Sequence, residues 1–144
     1  MFSFFNKDKE EDKIIDPYIK IAALLIHAAK IDENYTEKEN KIIIKALINL
    51  GSNKDKINQI MEKAEEIENK SNQILEFTKE IKNLKTESKI KIVEELWKII
   101  YSDNNPDVYE NNLMRRLTGL LYLEPKIVGN LKVKVKNNLK KWLI

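Results

Sequence analysis

Four acids recur at one spacing: Asp32 precedes Glu39 by seven residues, and Asp103 precedes Glu110 by the same interval. Hard cations such as Ca2+ and Mg2+ bind where several oxygens converge on one point, and two Asp–Glu pairs folded together would supply such a point. Part of the pattern also has a metal-free explanation. Thr36-Glu37-Lys38-Glu39 has the form of a capping box, in which the Thr36 hydroxyl accepts from the Glu39 N–H and the Glu39 carboxylate accepts from the Thr36 N–H. Asp107-Val108-Tyr109-Glu110 repeats the same order of cap and Glu, and the helix dipole favours an acid there in any case. Capping therefore suffices for Glu39 and Glu110. It does not account for Asp32 and Asp103, which are the sharper half of the candidate metal set. The spacing is not that of an EF-hand loop.

Other chemistry is thinly supplied. Cysteine is absent, which removes disulfides, thiolate metal sites and cysteine nucleophiles. His27, the only histidine, sits among apolar residues with no nucleophile and orienting acid marked out for it. The bland reading of His27 is a half-buried, hydrogen-bonded side chain. Gly-rich phosphate loops and Ser-His-Asp arrangements do not occur. A hydrolase built on the four carboxylates would lack a visible base and oxyanion donor. These residues point away from an enzyme. Arg115-Arg116 could recognise an anion or acidic partner, or form a surface or intramolecular salt bridge.

Charge is unevenly spread. Residues 125–144 hold six lysines (126, 132, 134, 136, 140 and 141) and no acid, so the net +3 conceals a basic end on a body of net −3. Such an end can meet anionic lipid or phosphates, and Met1-Phe2-Ser3-Phe4-Phe5 would add a weak apolar anchor. The plainer reading is a docked terminal helix with a solvated Lys face. All but two of the 26 basic residues are Lys, an excess that AT-rich coding produces without any partner. No aromatic–Arg interleaving of the kind that stacks bases is present, so nucleic acid is not expected.

These residues must be positioned by helices. Only three Gly and three Pro punctuate 144 residues, with 42% hydrophobic and 34% charged, which fits long helices with short joints. Residues 1–15 read as a charged lead-in, without the basic leader and long apolar run of a secretory signal, and 16–144 as one domain. Asp16-Pro17 opens a first helix that runs to about Ile31 with Ile21, Ala22, Leu25, Ala28 and Ala29 as its buried stripe. Its apolar run is far short of the roughly 20 residues that span a bilayer, so a cytoplasmic location is expected, with the inner membrane face as the place of any peripheral contact. The second helix follows the Thr36 box through Leu50, with Gly51 at its C-terminal turn. The third starts near Ser52–Asp55 and ends around Glu68. Ser71 caps a fourth, with Ile74, Phe77, Thr78 and Ile81 on one face. Thr86 caps a fifth, with Ile92, Leu96, Trp97, Ile99 and Ile100 largely buried. A sixth runs from Asp107 through Met114, Leu117 and Leu121, and Glu124-Pro125 begins the last. Within it LKVKVK alternates like a strand. At about 100° per residue, however, Ile127, Val128, Leu131, Val135, Leu139 and Trp142 share one sector, free of all six Lys. Only Val133 and Leu143 are misplaced, so the segment is predicted to be an amphipathic helix.

A shift of 71 residues superimposes Ile21 on Ile92, Leu25 on Leu96, Asp32 on Asp103, Glu39 on Glu110, Ile42 on Leu113 and Leu50 on Leu121. Each copy is an apolar helix, an Asp, a short loop and a helix with Glu in its first turn. Two such copies share a core when packed face to face. The segments LLIHAAKIDENYTEKE and ELWKIIYSDNNPDVYENNLMRRLTGLLYL resemble the TerB-like family of bacterial tellurite-resistance operons, over about residues 20–130. Asp32 and Glu39 match its motif in the first copy. Leu96-Trp97, Asp103, Tyr109-Glu110 and Arg115-Arg116 match it in the second. The family's Gly after each Asp is replaced by Glu33 and Asn104, and His27 stands where the family often has Glu.

The resemblance implies an all-helical fold with pseudo-two-fold repeats, a cation held by acids, and a link to tellurite-type stress. The expectation is therefore an all-α bundle of about seven helices in two pseudo-symmetric halves. It would serve as a non-enzymatic interaction or regulatory module, with Asp32, Glu39, Asp103 and Glu110 as metal candidates for Ca2+ or Mg2+. The expected partner is another protein. The alternative is a peripheral membrane adaptor using residues 1–5 and the last helix.

Overall fold

The computed structural model describes residues 17–30, 37–70, 74–101 and 108–142. Helices carry this part of the chain: α1 (17–30), α2 (Glu37–Asn49), α3 (Ile57–Lys70) after a short 3-10 turn (Lys54–Lys56), α4 (Leu75–Ile81), α5 (Thr86–Ile100), α6 (Val108–Leu120) and α7 (Pro125–Trp142). No strand occurs among the described residues, and LKVKVK is helical within α7. No helix among them is long and apolar enough to cross a membrane.

The first helix of each copy is the most deeply placed. In α1 the burial is wider than the expected stripe, taking in Ile19, Ala23, Leu24 and Ile26 as well. A helix apolar nearly all round can only be stable when covered on most sides. Its counterpart α5 buries Ile92, Val93, Leu96, Trp97, Ile99 and Ile100. The remaining helices are amphipathic and cover this pair. α7 lays Val128, Leu131 and Val135 inward and packs on α5, where Trp97 Nε1–H donates to the Val128 carbonyl at 3.2 Å and Lys134 pairs with Glu94 at 3.1 Å. Val133, off the apolar sector, is 56% exposed.

Several helix starts differ from the expectation. Asn53, within the expected start near Ser52–Asp55, caps a 3-10 turn before α3, its Oδ1 accepting from Asp55 N–H at 3.0 Å. Ser52 is drawn into the end of α2, which delays α3 to Ile57. Lys85 is the flanking residue of α5 and Thr86 its first helical one, with no side-chain cap, because α4 unwinds through Lys82–Leu84 in a tight turn. The lead-in and the caps proposed at Asp16, Thr36, Ser71 and Asp107 lie outside the described residues.

The repeat survives down to single hydrogen bonds. At the end of α2, Gly51 N–H donates to the Ile48 carbonyl (3.0 Å) and Ser52 N–H to that of Leu47 (2.9 Å), the double bond pattern of a Schellman motif. At the end of α6, 71 residues on, Tyr122 N–H donates to Gly119 (3.2 Å) and Leu123 N–H to Thr118 (3.0 Å). Both motifs turn on a positive φ, +103° at Gly51 and +56° at Tyr122. The residue before each turn is also held in the same way. Tyr18 donates its hydroxyl to the Leu50 carbonyl at 3.2 Å, and Lys89, its counterpart, donates its ammonium to the Leu121 carbonyl at 2.9 Å.

The pair of turns makes a signed prediction. An added Cβ at Gly51 meets the Tyr18 hydroxyl at 3.1 Å and stands on a left-handed backbone. Gly51→Ala is therefore expected to cost about 1–2 kcal/mol. Tyr122→Gly removes the same backbone strain while giving up a contact of the Lys82 ammonium 5.9 Å above the ring, and is expected to gain roughly 0.5 kcal/mol. Thermal melts of both variants check this, and a fall in Tyr122→Gly as large as in Gly51→Ala would contradict it.

Candidate functional site

Of the four carboxylates expected to gather, Glu39 is the one whose side chain is described. It lies in the first turn of α2, beside the exposed Glu37, and is 5% exposed. Asp32, Asp103 and the side chain of Glu110 lie outside the described residues. Among the described residues no group of three or more His, Cys, Asp or Glu is placed to hold a metal.

At the end of α1 the Lys30 ammonium lies 2.6 Å from Glu68 Oε2 and 2.8 Å from Asn69 Oδ1, both on α3. Glu68 is 9% exposed, and its other oxygen is 3.5 Å from His27 Nδ1. The half-buried His27 ring also packs against Phe77, with centroids 5.9 Å apart. One turn into α2, Asn40 donates to Glu65 at 3.3 Å. A carboxylate taken out of water needs donors, and Lys30 supplies the shortest one. This polar knot ties the end of α1, and the first turn of α2, to α3.

In the second copy the place of Lys30 is taken by Tyr101, and that of His27 by Lys98, which pairs with the buried Glu95 at 3.1 Å. The two halves thus share their backbone plan and differ in the charges set on it. Glu68 and Lys89 were not singled out in the sequence, although a signal existed. Each sits on its helix's buried stripe, Glu68 one turn after Ala64 and Lys89 one turn before Ile92 and Val93. A charge at an apolar register marks a buried partner. Trp97 is core as expected. Arg115 and Arg116 are exposed, and neither has an ion-pair partner among the described residues.

A family model described as tellurite resistance protein TerB matches residues 18–132. No curated protein and no solved structure matches the chain. The matched span begins at Tyr18, whose hydroxyl closes the first turn, and takes in Lys89 and Leu121, which close the second. Because it covers both copies of the helical pair and the helices that join them, the chain belongs to the TerB family.

Proposed function

We propose that this chain is a non-catalytic binding module that holds a divalent cation, Ca2+ or Mg2+, at Asp32, Glu39, Asp103 and Glu110 and docks another protein. The observation that carries the reading is the equivalence of the two halves at their turns, Tyr18 on Leu50 and Lys89 on Leu121. Halves that fold alike would set their acidic helix starts in equivalent places, which is what a shared site needs. The family description supplies a part in tellurite-type stress.

Calorimetric titration with Ca2+, Mg2+ and Mn2+ tests the cation. Saturable heat is expected with the wild-type chain and its loss in Asp32→Asn and Asp103→Asn. At a hundredfold excess over Kd the bound ion would stabilise the fold by about 2.7 kcal/mol, visible as a rise in Tm. No heat and no shift with any of the three ions would remove the cation.

A membrane-adaptor reading is favoured by the exposed Lys126, Val133, Lys134 and Lys136 of α7. Against it, Val128, Leu131 and Val135 are used in the core, so a bilayer would meet lysines with little apolar surface. Flotation with anionic vesicles separates the readings: salt-resistant flotation would favour the membrane.

A further inference from the structure

An open groove of about 610 Å3 runs between α6 and α7. Its floor is apolar, made by the outer edges of the otherwise buried Trp97, Met114, Leu123 and Val128, and the charged residues on its wall are Arg115 and Lys132, with no acid among the lining residues. The Lys132 ammonium stands 5.3 Å above the Trp97 ring, and Arg115 is exposed without an ion-pair partner among the described residues. The groove also holds two of the chain's three glycines. Gly51 is required by its positive φ, but Gly119 and Gly129 stand inside helices with nothing within 4 Å of an added Cβ. Glycine weakens a helix relative to alanine, and internal packing here would accept a side chain. These glycines keep the groove open from both walls.

We infer that this groove docks an amphipathic helix of another protein, apolar on one side and flanked by carboxylates. A small-molecule site encloses most of its ligand, whereas Arg115, Gly119, Pro125 and Gly129 are all exposed, so an occupant is covered on one side only. That is the geometry of a helix laid in a groove. The exposed Arg115 and the absence of acid in the wall select an acidic flank, and Arg115 can hold a carboxylate by two parallel hydrogen bonds. None of the four acids is among the described residues that line the groove, and the inference stands whether or not they bind a cation.

The test is a selection from a displayed library of helical peptides against the full chain, with Gly119→Leu and Gly129→Leu as blocked counterparts. Both replacements enter open space, so Tm is expected to hold or rise. Enriched peptides are expected to carry apolar residues at i, i+3 and i+4 beside Asp or Glu. Their affinity should fall at least tenfold in either leucine variant and in Arg115→Glu. Amide shifts on binding should map to residues 115–133. No enrichment over the blocked chains, enrichment of basic peptides, or shifts elsewhere would overturn the inference. So would tight binding to phosphatidylglycerol vesicles that the leucine variants abolish, because the occupant would then be lipid.

Discussion

Trp97→Ala is expected to lower the unfolding free energy by about 3–5 kcal/mol, and to loosen α7 before the rest of the bundle. Trp97 is 3% exposed and stands where α5 meets α7, its indole N–H donating to Val128. Truncation removes the largest side chain in that contact and leaves a void that a helix held from one side closes poorly. Trp97→Phe keeps most of the area and loses the hydrogen bond, so roughly 1–2 kcal/mol is expected. Urea melts give the totals. Hydrogen exchange gives the locality: α7 amides of the alanine variant should open at a lower free energy than those of α5. An even loss of protection over both helices would sink the second half of the prediction.

Lys89→Met is expected to cost about 2–3 kcal/mol, which for a chain of this size is roughly 6–10 °C in Tm. Methionine keeps the length and apolar character of the stem, so packing is largely spared. What is lost is the ammonium of a residue only 6% exposed, which reaches the Leu121 carbonyl at 2.9 Å and the Lys82 carbonyl at 3.4 Å. Both carbonyls lie at helix C-termini, where the dipole favours a cation. The matched change Tyr18→Phe removes a neutral donor from the equivalent carbonyl and is expected to cost about 1 kcal/mol. Thermal melts in low and high salt distinguish the causes. A buried contact is little screened, so the Lys89→Met deficit should persist at high salt. A variant as stable as wild type would mean that desolvation of the ammonium cancels its two hydrogen bonds.

Much of the fold was legible because it is local. The spacing of Ile92, Leu96, Ile99 and Ile100 marks a buried helix face, and Gly51 marks a helix end, since few other residues accept that backbone. Tyr122 shows the limit of such reading. The same left-handed turn is formed there by a residue that does not advertise it, and only the register of the repeat points to it. Helix starts were less legible, because Ser52 and Asn53, or Lys85 and Thr86, compete for one capping position and tertiary turns decide between them. Within the candidate site, the Asp–Glu spacing names Asp32, Glu39, Asp103 and Glu110. It cannot name Glu68, which comes from α3 and meets Lys30 across 38 positions of sequence. The groove between α6 and α7 was equally out of reach, since its two glycines acquire meaning only when two helices bring them to facing walls.

The paired turns also bear on what a doubled chain can do that two separate copies cannot. In a symmetric dimer every residue appears on both sides of the axis, so a buried ammonium at one turn would have to be matched by a second at the other. Joining the halves in one polypeptide lifts that obligation. A neutral hydroxyl closes the first turn of this chain, and a cation closes the second. The cost of desolvating a charge is met once rather than twice, and one backbone plan is left with two electrostatically distinct ends.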